Sequence, residues 1–492
     1  MLPFSTLIRL VRSASTPLSQ QLTTGFIQLI QQGLLPANAP LPGTRTLATQ
    51  LRVHRQTVVS AFEELAAQGW IVSVPAKGTR VSPRIPVVPA QPLPVPPAQP
   101  PISTGFTFTR TLPLALPTQP AAVALRLDTC GSPDPRLAPL AALARKYRTV
   151  CRQPTHPTLV GYATPEGNAA LRTQLTRYLL ETRGVAATPD QLLITRGSTM
   201  AMYLVAQLLL APGDTVVVAT RSYPEADLVF QHHGGCLQRV GVDEHGLCVA
   251  EVEALCQRQR VRLLYLTPHH HYPTTVTLSA ERRVHLLQLA ERYDFVVLED
   301  DYDFDYHYEG SPILPLASAD RSGRVLYVGS LSKVLAPAFR VGYVVGPANF
   351  VAELGKLRRL LDHQGDAVLE QGIAELLAEG ELRAHLKRAR KIYHRRRDVF
   401  CQLLRTQLAD WVTFQEPAGG MAVWGRFAPE VDLVQVAAAC QQRGLGLGDG
   451  RRYQLATERQ ASHLRLGFAA LQEEELVRSV EILRHSLHTI AK

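Results

Sequence analysis

The positions of the apolar residues divide the chain into two parts with different periods. In the first part, TRTLATQL (44–51) predicts a short helix with Thr44 as its N-cap, and RQTVVSAFEELAAQG (55–69) predicts a longer helix that ends at Gly69. Three residues, RVH, separate the two helices. The sequences WIVSV and TRV lie on either side of PAKG and predict a two-stranded hairpin with a basic tip. Helix, tight turn, helix and hairpin form the order of a winged helix-turn-helix.

Short, continuous apolar runs dominate the second part of the chain. Buried strands are predicted at TVVVAT (215–220), RLLYLTP (262–268), FVVLEDD (295–301) and RVLYVGS (324–330). The segment SAERRVHLLQLAERY (279–293) predicts an amphipathic helix between two of these strands. Such alternation predicts an α/β fold whose mostly parallel sheet is covered on both faces. Ligands bind these sheets at the carboxyl ends of the strands, which here carry TRSYPEA, EDDYD and GSLSK.

A proline-rich segment separates the two parts. Residues 82–102 contain nine prolines and one charged residue, and proline prevents both a helix and a central strand. We expect a semi-rigid spacer, and a PxxP ligand is the alternative. The predicted boundaries are 1–82 for the winged helix, 83–120 for the linker and 121–492 for the α/β body, with a smaller C-terminal α/β subdomain from about 376 to 492.

Composition and charge narrow the class of protein. Of the 492 residues, 46% are hydrophobic and 19% are charged, as in ordinary soluble proteins. We expect no signal peptide, and no apolar run reaches the roughly 18 to 20 residues that span a bilayer. The seven cysteines form no CxxC motif, which favours reduced thiols in a cytoplasmic protein.

The positive charge is concentrated in the first part of the chain. Residues 1–84 hold eight Lys or Arg and two Glu, against a net charge of +10 for the whole chain. This concentration is typical of a small domain that binds a polyanion. The exposed start of the second helix offers Arg55, Gln56 and Thr57 to phosphates and base edges of double-stranded operator DNA. A small helical domain that touches no DNA is the alternative.

This part resembles the GntR family of bacterial regulators. It matches the pattern LP-x-x-R-x-L-A…V-x-R-x-T-V…A-x-x-x-L-x-x-x-G between Leu41 and Gly69. The resemblance implies that Arg45, Arg55, Gln56, Thr57 and Gly78 approach DNA, and Lys77, the cation of the basic hairpin tip, is a further candidate DNA-binding residue. Two residues depart from the pattern. Arg52 replaces the usual glycine of the turn and should reduce backbone freedom, and His54 replaces the usual serine or threonine and should alter which operator is read.

A lysine in an apolar segment is the main chemical feature of the second part. In SLSKVLAPAFRVGY (330–343), Lys333 lies between hydroxyl and apolar residues, and Arg340 follows. A snorkelling surface lysine is the alternative. An apolar pocket shared with another cation would help Lys333 lose its proton and form a Schiff base, as pyridoxal phosphate (PLP) requires.

The other groups that PLP needs also lie at predicted strand ends. Asp300 is the candidate partner of the pyridine nitrogen, Tyr302 the donor to the phenolic oxygen, and Tyr223 the ring that stacks on the cofactor. Hydroxyls at a helix start and a planar guanidinium suit the phosphate. The candidate phosphate ligands are Ser198, Thr199, Ser330, Ser332 and Arg340.

The whole arrangement resembles the fold-type I aminotransferases. Similar segments include LVGYATPEGNAALR (159–172), VLEDDYDFDYHYEG and HLRLGFAAL (463–471). Together with the winged helix, the chain resembles the MocR/GabR-type regulators, which fuse a GntR-like domain to an aminotransferase-like domain. The resemblance implies that Arg465 holds a carboxylate of a substrate or effector, that Tyr162 reaches the phosphate of a partner subunit, and that the protein is a homodimer.

Several residues depart from this second family. Thr275 replaces the glycine that usually follows Pro-Thr, and His271 replaces a common glutamine. Thr199 and Met200 stand where two glutamines are frequent, and Glu225 stands where some members carry a second ligand-binding arginine. None of these changes touches the lysine, the carboxylate or Arg340, so we expect the cofactor to bind and the ligand to differ.

Three other charged segments have simpler interpretations. The histidines 269–271 predict no metal site, because adjacent side chains should diverge and no carboxylate or cysteine lies at ligand spacing. EDDYDFDYHYEG lacks the glycine turn and final glutamate of a calcium loop. RARKIYHRRRD (388–398) is typical of a solvated helix face, and contact with DNA is the alternative.

Three functions remain open from the sequence. The first is a PLP-dependent transcriptional regulator that senses an amino acid, another amino-bearing acid or PLP itself. The second is a working aminotransferase with an accessory DNA-binding arm, since residual transamination would use the same lysine and carboxylate. The third is a constitutive DNA-binding protein with an empty pocket.

Overall fold

Two compact units, Met1–Arg110 and Thr111–Lys492, make up the protein. The structure is a computed structural model that describes residues 3–75, 77–85, 103–107, 123, 125–127, 131–152, 157–455 and 457–490. The predicted linker falls mostly outside the described residues. No helix in the described ranges is long and apolar enough to cross a membrane.

The first unit has the predicted winged helix-turn-helix order. Its elements are helices α1 (Phe4–Leu7), α2 (Leu18–Gln31), α3 (Thr44–Leu51) and α4 (Arg55–Ala67), and strands β1 (Ile71–Val74) and β2 (Gly78–Val81). Strands β1 and β2 pair in antiparallel register. Helix α2, which the pattern above did not predict, packs on α4, and the rings of Phe26 and Phe62 lie edge to face at 5.6 Å in their shared core.

Two capping positions in this unit differ from simple expectation. Thr44 is wrong as the N-cap of α3: Gly43 has the extended dihedrals of the cap and Thr44 is the first helical residue. At the start of α4, the Nδ1 of His54 accepts the N–H of Gln56 at 3.2 Å. His54 therefore makes the helix cap that serine or threonine usually provides.

Arg52 adopts the left-handed conformation where the resembled family has glycine. Its φ is 52° at the end of α3, a conformation that costs a non-glycine residue about 1 to 2 kcal/mol. The turn thus requires a left-handed residue at position 52, where arginine has less backbone freedom than glycine.

The second unit is an α/β body. Its strands are β3 (Leu125–Arg126), β4 (Leu192–Thr195), β5 (Thr215–Ala219), β6 (Cys236–Val240), β7 (Val242–Asp243), β8 (Gly246–Leu247), β9 (Val261–Leu266), β10 (Val296–Asp301), β11 (Val325–Ser330), β12 (Gly342–Val345), β13 (Val412–Phe414), β14 (Ala422–Phe427), β15 (Leu445–Gly446) and β16 (His463–Gly467). Its helices are α5 (Leu140–Cys151), α6 (Pro157–Val160), α7 (Ala169–Arg183), α8 (Ser198–Leu209), α9 (Pro224–His232), α10 (Val249–Cys256), α11 (Ala280–Tyr293), α12 (Leu316–Ala319), α13 (Ala348–Leu361), α14 (Ala367–Ala378), α15 (Glu381–Gln407), α16 (Leu433–Gln442) and α17 (Glu473–Ile490).

A seven-stranded sheet in the order β4-β12-β11-β10-β9-β5-β6 forms the centre of this body. The strands from β11 to β6 are parallel, and β12 is antiparallel to both β11 and β4. Apolar side chains of the strands are buried in separate clusters that include helices α8 and α9, or α10 and α11. The sheet is therefore mostly parallel and covered by helices, as the continuous apolar runs predicted.

The C-terminal region forms a smaller antiparallel sheet in the order β13-β14-β16, with α15 and α17 packed together. The charged segment 388–398 lies on α15, and not all of its side chains face solvent. Arg396 and Arg397 are 6% and 3% exposed and form ion pairs with Asp134 and Glu309. Burial of these two cations inside the body removes them from any direct contact with DNA.

Candidate functional site

The carboxyl ends of three neighbouring parallel strands form the candidate site. Strand β10 ends at Asp301 and carries Asp300, and β11 ends at Ser330, just before Lys333. Strand β9 ends one residue before Thr267. Because β9, β10 and β11 are parallel neighbours, these segments meet at one edge of the sheet, where ligands of α/β proteins bind.

A cavity of about 220 Å³ lies at this edge. It brings together most of the residues predicted for the cofactor. The side chains that line it are Ser132, Ser198, Thr199, Tyr223, Tyr265, Thr267, Tyr272, Asp300, Tyr302, Ser330, Ser332, Lys333, Pro337 and Arg340. Of the predicted cofactor and effector ligands, Tyr162 and Arg465 are not among these lining residues.

Asp300 is a buried carboxylate with one oxygen available to a ligand. Its Oδ2 accepts the hydroxyl of Tyr265 at 2.9 Å, whereas its Oδ1 is buried and has no hydrogen-bond partner in the described part of the chain. Burial raises the pKa of Asp300 to about 7, the negative charges of Asp301 and Asp303 act in the same direction, and the Tyr265 hydrogen bond opposes them. An unpaired buried acceptor is costly, and a protonated pyridine nitrogen would satisfy it.

The raised pKa of Asp300 predicts a pH-dependent stability in the cofactor-free protein. The folded state holds the Asp300 proton more tightly than the unfolded chain, in which the carboxyl group has its ordinary pKa of 3.8. The contribution of Asp300 to stability is therefore present below pH 4 and is lost as the pH rises through about 7. At pH 8 we expect the free energy of unfolding of Asp300→Asn to exceed that of wild type by no more than about 4 kcal/mol. The variant should then unfold at a higher temperature, with a smaller difference at pH 4.

Thermal unfolding of the cofactor-free proteins at the two pH values measures this effect. The matched control is Asp410→Asn, which makes the same change at an exposed aspartate. Equal unfolding temperatures for Asp300→Asn and wild type at both pH values would contradict a raised pKa of the Asp300 carboxyl group in the folded protein.

Lys333 and Arg465 both lie close to Gly131. The Nζ of Lys333 donates to the main-chain oxygen of Gly131 at 2.8 Å. A Cβ at position 131 would lie 2.7 Å from Nη1 of Arg465, and Gly131 has a φ of 59°. Only glycine therefore allows this close approach. Arg465 is 1% exposed and its guanidinium lies over the ring of Tyr272 at 5.1 Å.

Two aromatic residues form a wall of the cavity. Tyr223 lies edge to face with Tyr272 at 5.2 Å between ring centroids. The hydroxyl of Tyr302 donates to the main-chain oxygen of His270 at 2.9 Å. Donation from Tyr302 to a cofactor oxygen, as the sequence suggested, would require this hydrogen bond to open.

The candidate phosphate ligands also line the cavity. Ser198 and Thr199 begin helix α8, whose free amides attract an anion. Ser332 has a buried Oγ without a partner in the described residues, and Arg340 is exposed with its Nη2 3.0 Å from the oxygen of Arg196. An unpaired carboxylate oxygen, an unpaired hydroxyl and a guanidinium around one lysine fit the groups that PLP requires.

Some site residues escaped the sequence analysis. Tyr265 and Thr267 belong to the predicted strand RLLYLTP, and a hydroxyl near the end of an apolar strand was the available signal. Gly131 and Ser132 come from a distant segment, and no local pattern marks them. Glu225 forms an ion pair with Arg452 at 3.3 Å, so an acid–base pair stands where some relatives were expected to carry an arginine.

The side chain of Tyr162 lies outside the cavity of its own chain. Tyr162 is 90% exposed, and its ring lies 5.9 Å from that of His363. This exposure leaves Tyr162 accessible to a second copy of the chain.

Two of the three consecutive histidines have side chains that lie close together, whereas the sequence analysis expected adjacent side chains to diverge. The rings of His269 and His270 lie only 4.3 Å apart, and His270 Nδ1 is 2.8 Å from the carboxylate of Asp303. The expected divergence is wrong because residues 269 and 270 lie in a bend after β9, where strand alternation no longer applies.

In the first unit, the predicted DNA-binding residues lie on exposed positions. Arg55 and Gln56 are exposed in the first turn of α4, Thr57 is half-buried, and Arg45 is exposed in the first turn of α3. Lys77 and Gly78 are exposed at the tip between β1 and β2, where Gly78 has a φ of 78°. The helix start and the hairpin tip thus present cations and hydrogen-bonding groups suited to phosphates.

Known proteins are similar to the chain in both units. Residues 134–483 match the family model described as aminotransferase class I and II, and residues 18–81 match bacterial regulatory proteins of the gntR family. The probable rhizopine catabolism regulatory protein MocR of Rhizobium meliloti is 29% identical over 480 residues, covering 96% of this chain and 94% of the relative. The transcriptional regulator TauR of Rhodobacter capsulatus is 31% identical over 474 residues, covering 90% of this chain and 92% of the relative.

The body of the structure is also similar to solved aminotransferases. The kynurenine aminotransferase of Pyrococcus horikoshii, solved in complex with PMP, has a TM-score of 0.68 and 26% identity. The match covers 74% of this chain and 91% of that enzyme.

Proposed function

The chain belongs to the MocR/GabR-type regulators, which join a GntR-type domain to an aminotransferase class I and II domain, and we propose that its cavity senses a small amino compound with a carboxylate, or PLP itself. The protein is a PLP-dependent, DNA-binding transcriptional regulator. The convergence of Lys333, Asp300 and Arg340 on one cavity is the observation that supports this sensing role.

Each group around the cavity would hold one part of the cofactor. Lys333 would bond to the aldehyde carbon, Asp300 Oδ1 would accept the proton of the pyridine nitrogen, and Tyr223 would pack on the ring. Ser198, Thr199, Ser330, Ser332 and Arg340 would bind the phosphate. Bound PLP supplies an electrophilic carbon that reacts with amines, so the cavity is suited to a ligand with an amino group.

Arg465 would select a ligand that also carries a carboxylate. Arg465 lies beside Gly131, and the main-chain oxygen of Gly131 accepts a hydrogen bond from the Lys333 amine. The Arg465 guanidinium and the reactive amine therefore approach the same residue. A guanidinium binds a carboxylate through two parallel hydrogen bonds. A ligand held in this way would stabilise one arrangement of the protein over another and so change its affinity for DNA.

A parallel titration of spectrum and DNA binding tests the sensing role. Amino acids, other amino-bearing acids and PLP are added to the holo-protein while cofactor absorption and affinity for DNA upstream of its own gene are measured. We expect one compound to change both signals at the same concentration. Steady turnover of amino and keto acids with no change in DNA affinity would instead support the aminotransferase alternative.

A substitution in α4 tests the assignment of the DNA-reading residues. We expect Arg55→Ala to lower operator affinity about 10-fold or more and to leave the cofactor spectrum unchanged, since a base-edge or phosphate contact contributes about 1 to 3 kcal/mol. The matched control is Arg359→Ala, which removes an exposed arginine from the other unit. Equal losses in both variants would indicate a general charge effect.

We further propose a cytoplasmic homodimer. Tyr162, exposed on its own chain, would reach the phosphate region of a second copy, and two winged helices would then bind paired half-sites. Sedimentation of the holo-protein as a monomer at micromolar concentration would contradict this assembly.

A further inference from the structure

Three histidines meet next to Tyr302, a cavity residue whose hydroxyl donates to the main-chain oxygen of His270. His269 and His270 follow β9, and His307 follows the short 3-10 turn Phe304–Tyr306 after β10. Because β9 and β10 are parallel neighbours, both segments lie at the same edge of the sheet. One ring nitrogen of each histidine lies within 4.8 Å of the corresponding nitrogens of the other two.

Four of the six ring nitrogens in this cluster lack hydrogen-bond partners within the described residues. Both ring nitrogens of His269, Nε2 of His270 and Nδ1 of His307 are buried and unpaired. The side chains of His269 and His270 are 3% and 1% exposed. Buried polar groups are nearly always satisfied. Each neutral ring has one acceptor nitrogen, so the three rings can together offer three lone pairs to one missing electrophile.

We propose that His269, His270 and His307 form a binding site for a divalent transition-metal ion, with Zn²⁺ as the ion that fits best. Neutral imidazole nitrogens are ligands that zinc prefers, at about 2.0 to 2.1 Å. Nitrogens around a tetrahedral ion lie about 3.3 Å apart, so ring movements of about 1 Å bring the cluster to coordination distance. Three protein ligands leave a fourth position for water.

Asp303 supports the site from outside the ligand set. Its Oδ1 is 2.8 Å from Nδ1 of His270, so Nε2 of that ring is directed away from the carboxylate. Metal-binding histidines usually hydrogen-bond through the other ring nitrogen in this way. The second oxygen of Asp303 is also buried and unpaired within the described residues.

Gly419 packs closely against His270. A Cβ on Gly419 would lie 2.3 Å from His270 Nε2 and 2.6 Å from the main-chain oxygen of Tyr306. Only glycine therefore allows the His270 ring to keep this position. His307 is half-buried, and its Nδ1 is buried.

Nearby cations do not prevent binding of a metal. The guanidinium of Arg183 is paired with Asp305 at 2.8 Å, and Arg283 donates to three main-chain oxygens, of Leu278, Leu314 and Pro268. The charge of Arg183 is therefore offset by Asp305, Arg283 lies 4.0 Å from the carboxylate of Glu299, and Asp303 faces the cluster. Since the oxygen of His270 accepts the Tyr302 hydroxyl, an ion at this site would also fix one wall of the cofactor cavity.

Metal titration of the full-length holo-protein tests the proposal. The protein is treated with a chelator, dialysed and titrated with Zn²⁺, with metal content measured by mass spectrometry and Co²⁺ used as a spectroscopic probe. We expect one ion per chain, a tetrahedral Co²⁺ spectrum and a rise in unfolding temperature with Zn²⁺. Absence of stoichiometric binding at micromolar Zn²⁺ would overturn the proposal.

Variants distinguish this site from adventitious binding. We expect His269→Gln and His307→Gln to lose the metal. Asp303→Asn, which keeps the side-chain shape, should weaken zinc affinity about 10- to 100-fold. The matched control is His232→Gln combined with His233→Gln, which removes the adjacent histidine pair of α9 and its end and should bind as wild type. Loss of the ion in this control alone, or retention in all the other variants, would contradict the assignment.

Discussion

Lys333→Ala protein is expected to lose its cofactor during dialysis, whereas the wild-type protein retains a visible absorption band. The position of the amine explains this expectation. Lys333 follows β11 directly, and the buried residues Val334 and Leu335 hold the chain in place. Its main-chain oxygen accepts the Tyr306 hydroxyl at 2.9 Å, and its Nζ lies 2.8 Å from the oxygen of Gly131. The covalent bond from this amine would tighten binding and slow release of the cofactor during dialysis.

The absorption spectrum after dialysis measures the effect, and Lys356→Ala is the matched control. Lys356 is an exposed lysine on α13 that pairs with Glu353, so its removal should leave the band unchanged. Retention of the full band by Lys333→Ala would show that another amine holds the cofactor.

Arg340→Ala is expected to lower the affinity for PLP about 100- to 10,000-fold, because two charge-assisted hydrogen bonds contribute about 1.5 to 3 kcal/mol each. Arg340 lines the cavity beside Ser332 and the start of α8. Its φ is 51°, a conformation in which alanine is strained no more than arginine, so the substitution isolates the loss of the guanidinium.

Equilibrium titration of the cofactor-free proteins with PLP measures this change. Arg340→Lys should fall between wild type and alanine, since lysine keeps the charge and loses the planar fork. Arg196→Ala is the matched control: its side chain pairs with Asp362 and is not among the cavity-lining residues. Equal losses for Arg196→Ala and Arg340→Ala would indicate a general effect of positive charge.

Local patterns predicted the strands because the parallel sheet is buried on both faces. The run at 295–301 predicted β10 to within one residue, and Ser279 caps α11 where its helical pattern began. The candidate site followed from the same information, because polar residues directly after apolar strands gather at one edge.

Long-range proximity is what the sequence did not contain. Gly131 contacts Lys333 across about two hundred residues, and no local signal connects them. His307 approaches His269 and His270 only because β9 and β10 are neighbours in the sheet. The departures from family pattern were more informative than expected: Arg52 and Thr275 replace glycines and both adopt positive φ, of 52° and 66°.

The most direct test of the sensing role is the change in operator affinity that the effector causes in wild-type and Lys333→Ala proteins. For wild type we expect a several-fold change, because the ligand favours one arrangement of the protein. For Lys333→Ala we expect operator binding to remain and the response to disappear. An equal response in both proteins, or no response to any compound that alters the cofactor spectrum, would contradict control of DNA binding by this cavity.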